Sequence, residues 1–328
     1  MKYIMLTGHR KSGTTLLHKL FDNHPELNVY PVDLTLLYAY YPCWLNLEST
    51  DKKKKRVSDV IKHATQSIEG RSVSEHVPSF SAEKLIESLW KVAEVEYFDE
   101  PGRIVEAMAN AYCDYAGLDK GKPFLFKETS QTVHARAMVE IGLDINVIQI
   151  VRDPRDNYAA IKSGVSSYYS KMGEGEKESL ASLLNRAGLD LRMAQRLTME
   201  EVLWFDTIGF ESLVEEPQAH LRRTCDFLEI SFSEALAKPT LLGQPFEGNS
   251  HEAKSFTGIS QENVGKWKDR ISRSEAAVIE AWMEREIEYW GYELSSGLDE
   301  RLFELSSFYD WYNCRYFYHD SVYSFSKA

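Results

Sequence analysis

Residues 4–20 read Ile4-Met5-Leu6-Thr7-Gly8-His9-Arg10-Lys11-Ser12-Gly13-Thr14-Thr15-Leu16-Leu17-His18-Lys19-Leu20. The apolar run from Tyr3 to Leu6 has the length of a buried strand. Leu16, Leu17, Leu20 and Phe21 then recur at i, i+1, i+4 and i+5, one face of a helix. Between the two lie Gly8 and Gly13, the hydroxyls of Ser12, Thr14 and Thr15, and the cations Arg10 and Lys11. Such a turn cradles an anion: its backbone N–H groups point at the ligand, the helix N-terminus adds the positive end of its dipole, and the hydroxyls donate further bonds.

Working outward, Pro123-Phe124-Leu125-Phe126-Lys127 reads as a second buried strand, and Asn146-Val147-Ile148-Gln149-Ile150-Val151 as a third, β-branched and apolar. A helical stretch over 133–142 separates them, and strand–helix–strand at this spacing predicts a parallel sheet with right-handed crossovers. Arg152-Asp153-Pro154-Arg155-Asp156 follows and opens a helix, with Pro154 in its first turn. The expected fold is therefore α/β: a three-layer arrangement with a central parallel sheet flanked by helices. Ligands of such sheets bind at the carboxyl ends of strands, so Arg152 and the Lys11 loop are expected to face one crevice. Arg155, three residues on, is expected at the surface beside Asp153 or Asp156.

The loop departs from a nucleotide-triphosphate P-loop, G-x-x-x-x-G-K-[ST], in one place. Gly8 and Gly13 have the required separation, but the lysine stands at position 11, ahead of Gly13, and Thr14 occupies its usual site. The string Arg10-Lys11-Ser12-Gly13-Thr14-Thr15 resembles the 5′-phosphosulfate loop, roughly [PR]-K-[ST]-G-[ST]-[ST], of sulfotransferases that use 3′-phosphoadenosine 5′-phosphosulfate (PAPS). Val151-Arg152-Asp153-Pro154-Arg155-Asp156 resembles that family's 3′-phosphate motif, and Gly265-Lys266-Trp267-Lys268 its C-terminal G-x-W-[KR] cofactor segment.

The resemblance implies a P-loop-like phosphosulfate loop after the first strand and in-line sulfuryl transfer from PAPS to a hydroxyl or amine, with 3′,5′-adenosine bisphosphate as product and no metal. It implies that Lys11 stabilises the leaving oxygen and that Arg10, Ser12, Gly13, Thr14 and Thr15 hold the 5′-phosphate. Arg152 takes the 3′-phosphate, and Gly265, Lys266 and Trp267 border the nucleotide. Lys127 corresponds to a strand-end lysine that binds the sulfuryl group. The family's second 3′-phosphate ligand, a serine eight residues after the arginine, is Ala160 here; Ser163, one helical turn further on the same face, is the expected partial substitute as a 3′-phosphate ligand. The histidine that serves as base in cytosolic small-molecule members is Thr129, which cannot act as one. Carbohydrate and tyrosine sulfotransferases use a glutamate from the region after the first helix, where this chain has Asp33. Asp33 is thus the expected base, with Glu75, His76 and His134 as rivals.

Composition narrows the partners. The 328 residues carry a net charge of −12, which argues against nucleic acid and makes any anion site local. Cys43, Cys113, Cys225 and Cys314 show neither C-x-x-C nor zinc spacing and read as reduced thiols. No apolar run is long enough to span a membrane. The first strand starts almost at Met1, with no apolar leader, whereas Golgi sulfotransferases carry an N-terminal membrane helix. A cytoplasmic enzyme with a small-molecule or carbohydrate acceptor is the expectation.

The remaining chain reads as one domain, 1–328, with helical insertions at about 32–120 and 165–200. Within the first, Tyr38, Tyr40, Tyr41 and Trp44 are either packing residues or an acceptor-pocket wall, and Asp51 to Arg56 reads as a solvated helix start. Helices are expected at 81–97, 103–117, 176–202, 217–228 and 274–290, and a strand at Val202 to Phe205. An aromatic tail, about 300–328, packs on the body, forms a homodimer or edges the acceptor site. Two other classes compete. A P-loop kinase or NTPase calls for lysine after the second glycine and a magnesium-binding acidic strand end, both missing here. A non-catalytic nucleotide-binding protein has no reason to keep Lys11.

Overall fold

The computed structural model describes residues 1–35, 50–70, 73, 77–93, 101–140, 142–173, 175–246 and 258–316. Five strands form one parallel sheet: β1 (Tyr3–Thr7), β2 (Asn28–Asp33), β3 (Phe124–Lys127), β4 (Ile145–Val151) and β5 (Phe205–Gly209), in the order β2-β3-β1-β4-β5. The fold is α/β, with this sheet flanked by helices. β1 is central, flanked in register by β3 (Met5 opposite Phe126) and β4 (Thr7 opposite Gln149). Its five residues are all buried, as a strand covered on both faces requires.

The chain gathers into two compact units. The first comprises residues 1–151 and 196–261 and holds the sheet. Helix α1 (Thr14–Phe21) buries Leu17, Leu20 and Phe21 against Ile4, Leu6 and Ile150 of the strands, so the apolar stripe read from sequence is its core face. Among the described residues, three helices, α2 (Thr50–Gly70), α3 (Ala82–Ala93) and α4 (Pro101–Ala116), occupy the long excursion between β2 and β3, with α3 packed against both α2 and α4. Tyr38, Tyr40, Tyr41 and Trp44 lie outside the described residues. A short helix, α5 (Ala135–Glu140), precedes β4.

The second unit, residues 152–195 and 262–328, contains α6 (Pro154–Lys162) and most of α7 (Glu176–Met199). α6 begins as its sequence dictates: Pro154 sits in its first turn and the Asp153 side chain accepts a hydrogen bond from Arg155 N at 2.9 Å. β5, in the first unit, begins at Phe205 rather than Val202. The apolar Val202-Leu203-Trp204 precedes the edge strand, and Leu203 is almost fully exposed at 93%. Helices α8 (Phe210–Glu215) and α9 (Pro217–Leu228) complete the first unit's described helices. The second unit continues with α10 (Trp267–Arg270) and α11 (Arg273–Trp282), the latter opened by a full capping box between Ser272 and Glu275. The helix expected over 274–290 is broken after Trp282 into α11 and α12 (Glu284–Tyr289). α13 (Leu298–Tyr316) carries the first part of the aromatic tail, with Phe308 buried beside Trp311 and Tyr312. Residues 317–328 of that tail lie outside the described residues.

Candidate active site

The loop after β1 has a backbone that its glycines make possible. Gly8 and Gly13 adopt φ of +141° and +104°. A Cβ on Gly8 would stand 2.7 Å from the Ile150 carbonyl oxygen, and one on Gly13 2.5 Å from the Phe210 ring, so both positions exclude side chains. Lys11 itself is left-handed, at φ +66°, a conformation uncommon outside glycine and frequent at functional sites. The Ser12 hydroxyl donates to His9 O at 2.6 Å and closes the turn. Gly13 is the N-cap of α1 and no side chain caps that helix, so its first-turn amides are left for a ligand. Glycines that free the loop's backbone, a positive helix end and a lysine in the loop together fit an anionic group such as a phosphate.

The chain just after β3 is tied to this loop. Glu128 N donates to Leu6 O at 2.9 Å, Ser130 N to Gly8 O at 2.9 Å and Gln131 N to the Thr7 hydroxyl at 3.1 Å. His9 Nδ1 and Ser130 Oγ share a hydrogen bond at 2.9 Å. Ser130, too, is left-handed at φ +57°. The turn at 128–131 is thus bolted to the loop that carries Lys11.

Asp33 and Lys127 meet in this region. Their atoms Oδ1 and Nζ are 2.6 Å apart, with side chains only 12% and 5% exposed. The sheet register explains the encounter. Val29 is opposite Leu125 and Asp33 opposite Lys127, so four residues of β2 span what two of β3 span. Without that irregularity Pro31 would face Lys127; with it, a carboxylate does. β2 is an edge strand, where Pro31, having no N–H, is tolerated. Lys127 Nζ also reaches the Thr15 hydroxyl at 3.4 Å, and Thr129 donates its hydroxyl to Asp33 Oδ1 at 3.3 Å. Ser67 of α2 binds the Asp33 carbonyl at 2.8 Å.

Beneath this pair, α1 turns two polar side chains inward. His18 Nε2 bonds Tyr30 O at 2.8 Å and Lys19 Nζ donates to Pro31 O at 2.6 Å, tying α1 to the irregular stretch of β2. Burial, reinforced by the charges of Lys19 and Lys127, pushes the His18 pKa well below the ordinary histidine value. His18 is therefore neutral at physiological pH. His134, a rival base in the sequence, lies in a short 3-10 turn before α5, where burial likewise lowers its pKa. Glu75 and His76 lie outside the described residues.

In the second unit, Arg152 opens the chain after β4, 7% exposed, and its Nη2 donates to Asn263 O at 2.6 Å. Asp156 accepts from Gly265 N at 2.6 Å and Trp267 N at 2.8 Å, so α6 pins the Gly265-Lys266-Trp267 segment from its first turn. Burial raises the Asp156 pKa against the pull of Arg152 and these amides. Arg155 is not at the surface. Its side chain is 3% exposed, paired with Asp153 at 2.8 Å and Glu280 at 2.6 Å, and it lies 4.1 Å from the Trp267 ring. Those last partners lie more than 110 residues away, which is why local spacing suggested a surface position. Ser163 is exposed at the C-cap of α6, and its hydroxyl donates to Ala160 O at 2.9 Å. Arg10 is half-buried.

Lys11, Ser12, Gly13, Thr14, Thr15, Lys127 and Asp33 thus belong to the first unit, where Thr15, Lys127 and Asp33 are in direct contact; Arg152, Gly265, Lys266 and Trp267 belong to the second. The sequence reading missed Ser130, His9 and the Asp156 clamp. A left-handed serine after a strand carries no distinctive sequence signal, whereas Asp156 lies inside the motif already singled out.

A central parallel strand running into a glycine-hinged loop and an uncapped helix defines a P-loop-like phosphate-binding fold. A family model described as the Sulfotransferase family matches residues 4–234. The chain belongs to the sulfotransferase family. Among solved structures it is similar to the sulfotransferase domain from the curacin biosynthetic pathway, at 21% identity and a TM-score of 0.55, covering 90% of this chain and 99% of that one. It is also similar to the sulfotransferase domain of the Synechococcus PCC 7002 olefin synthase, at 20% identity and a TM-score of 0.54, covering 90% and 96%. At these identities the likeness is one of fold. No curated protein matches the chain. No helix among the described residues is long and apolar enough to cross a membrane.

Proposed function

We propose that the protein transfers a sulfuryl group from PAPS to a hydroxyl or amine of a small-molecule or carbohydrate acceptor. What supports this most is the contact chain from the Lys11 loop through Thr15 and Lys127 to Asp33. It joins donors suited to a phosphosulfate to a carboxylate suited to an acceptor proton.

In the proposed reaction the acceptor atom attacks sulfur in line, the S–O bond to the 5′-phosphate breaks, and the acceptor proton passes to Asp33. Donation and charge do most of the work in such transfers, as they do in phosphoryl transfer. Lys11 meets the negative charge that grows on the leaving oxygen. Ser12, Thr14, Thr15 and the loop amides hold the 5′-phosphate. Lys127 orients the sulfuryl oxygens and holds Asp33 Oδ1 at 2.6 Å. Arg152 takes the 3′-phosphate, the role its motif implies, and the Gly265-Lys266-Trp267 segment borders the nucleotide.

The test is a panel of hydroxyl and amine acceptors supplied with PAPS, following release of 3′,5′-adenosine bisphosphate. Asp33→Asn is expected to lower turnover ~10²–10⁴-fold, with nucleotide binding little changed. A wild type that hydrolyses Mg-ATP, yet never releases the bisphosphate with any acceptor, would overturn the reading.

A further inference from the structure

Thr129 stands two residues after Lys127, and its hydroxyl cannot act as a general base. We infer that it is instead a positioning residue for Asp33, an inference that rests on the function proposed above. Its hydroxyl donates to Asp33 Oδ1 at 3.3 Å, the same oxygen that Lys127 Nζ holds at 2.6 Å. Two donors from β3 and its following turn thus fix one oxygen of a carboxylate carried on β2.

The turn that bears Thr129 is itself immobilised on the phosphosulfate loop. Ser130 N binds Gly8 O, Gln131 N binds the Thr7 hydroxyl and Ser130 Oγ bonds His9 Nδ1, at 2.9, 3.1 and 2.9 Å. Gln131 Nε2 closes back on Thr129 O at 3.2 Å. Ser130 is held left-handed at φ +57°, a conformation that costs free energy and persists only where its surroundings enforce it. The consequence is mechanical. A carboxylate on an irregular edge strand is referenced to the loop that binds the donor, not merely to its own strand. Catalytic groups need placement to within about 0.5 Å, and a base held only by its own backbone would lack it.

The charged and titratable groups around Asp33 include Lys127 on β3 and, on α1, His18 and Lys19. Thr129→Val keeps the shape and removes only the hydroxyl; Thr129→Ser restores it. A hydrogen bond to a carboxylate favours its charged form, so its removal raises the pKa.

The experiment measures two things on wild type, both variants and Asp33→Asn. The first is the carboxyl titration of Asp33 by carbon NMR in the nucleotide-free protein, assigned by the signal missing in Asp33→Asn. The second is the pH profile of turnover. Thr129→Val is expected to raise the Asp33 midpoint, move the acid limb of the profile in the same direction, and lower kcat at least ~10-fold with the donor KM unchanged. Thr129→Ser should return all three towards wild type. Thr129→Val with an unmoved midpoint and wild-type kcat would overturn the positioning role while leaving Asp33 as the base. Full activity in Asp33→Asn would instead overturn the base itself.

Discussion

At the scale of single residues, Lys11 separates charge from packing. It sits in a left-handed turn between two glycines that admit no side chain, and it is not part of the hydrophobic core. Lys11→Ala is expected to keep the fold and lose ~10²–10³ in kcat, because in the proposed reaction the missing charge acts on the transition state. Circular dichroism with steady-state kinetics checks both halves; more than a third of wild-type activity in a folded variant would remove the role. Lys11 was legible because Arg10-Lys11-Ser12-Gly13-Thr14-Thr15 is a contiguous string, and contiguous strings survive folding unchanged. The Asp33–Lys127 contact was not legible. It depends on a register irregularity between Val29 and Asp33, which shifts β2 by two residues against β3 and leaves no mark in either strand's apolar pattern.

At the scale of elements, α6 organises the second unit from its N-terminal turn. Asp156 holds the Gly265 and Trp267 amides, while Arg155 links Asp153, Glu280 and the Trp267 ring. Asp156→Ala leaves those two amides without their acceptor, and it should speed their hydrogen exchange while destabilising the protein by ~1–3 kcal/mol. Unchanged exchange at Gly265 and Trp267 would show that the segment is held by other contacts. The sequence placed the helix at Pro154 well, because proline and an Asp N-cap are local signals. It placed β5 three residues early, because Val202-Leu203-Trp204 is more apolar than the edge strand Phe205-Asp206-Thr207-Ile208-Gly209 that pairs with β4. Edge position permits polar residues such as Asp206 and Thr207, and edge position is a tertiary fact.

At the scale of the whole molecule, buried histidines set the response to acid. His18, His24 and His134 all have pKa values lowered by burial, His18 the most. Below the ordinary histidine value, about 6.5, the unfolded chain takes up protons that the folded chain refuses. Stability therefore falls as pH drops through that window and rises as pH returns. Glu275 and Glu280 act in the same sense further into acid. Burial opposes ionisation of both, but Lys162 and Tyr158 on Glu275, and Ser295 and Arg155 on Glu280, hold them below the usual carboxylate value. Asp156, raised by burial, opposes them in the window just above its ordinary value. The expected result is a Tm that drops from pH 7 to pH 5, with a shallower slope in His18→Gln; each histidine contributes at most about 1.4 kcal/mol per pH unit. A flat Tm over that range would contradict the neutral, buried state of His18.

The central claim is that this family member uses a nucleotide carrying a 3′-phosphate, and calorimetric titration of 3′,5′-adenosine bisphosphate against 5′-AMP tests it most directly. Arg152, nearly buried with one nitrogen already anchored on Asn263 O, is the group expected to read that phosphate. Because Ala160 has no hydroxyl and Ser163 bonds Ala160 O, Arg152 should carry most of the preference. Truncating such a charge contact costs ~2–5 kcal/mol, so wild type should bind the bisphosphate far more tightly than 5′-AMP, and Arg152→Ala should scarcely distinguish them. Equal affinity of the wild type for the two nucleotides would contradict the use of PAPS.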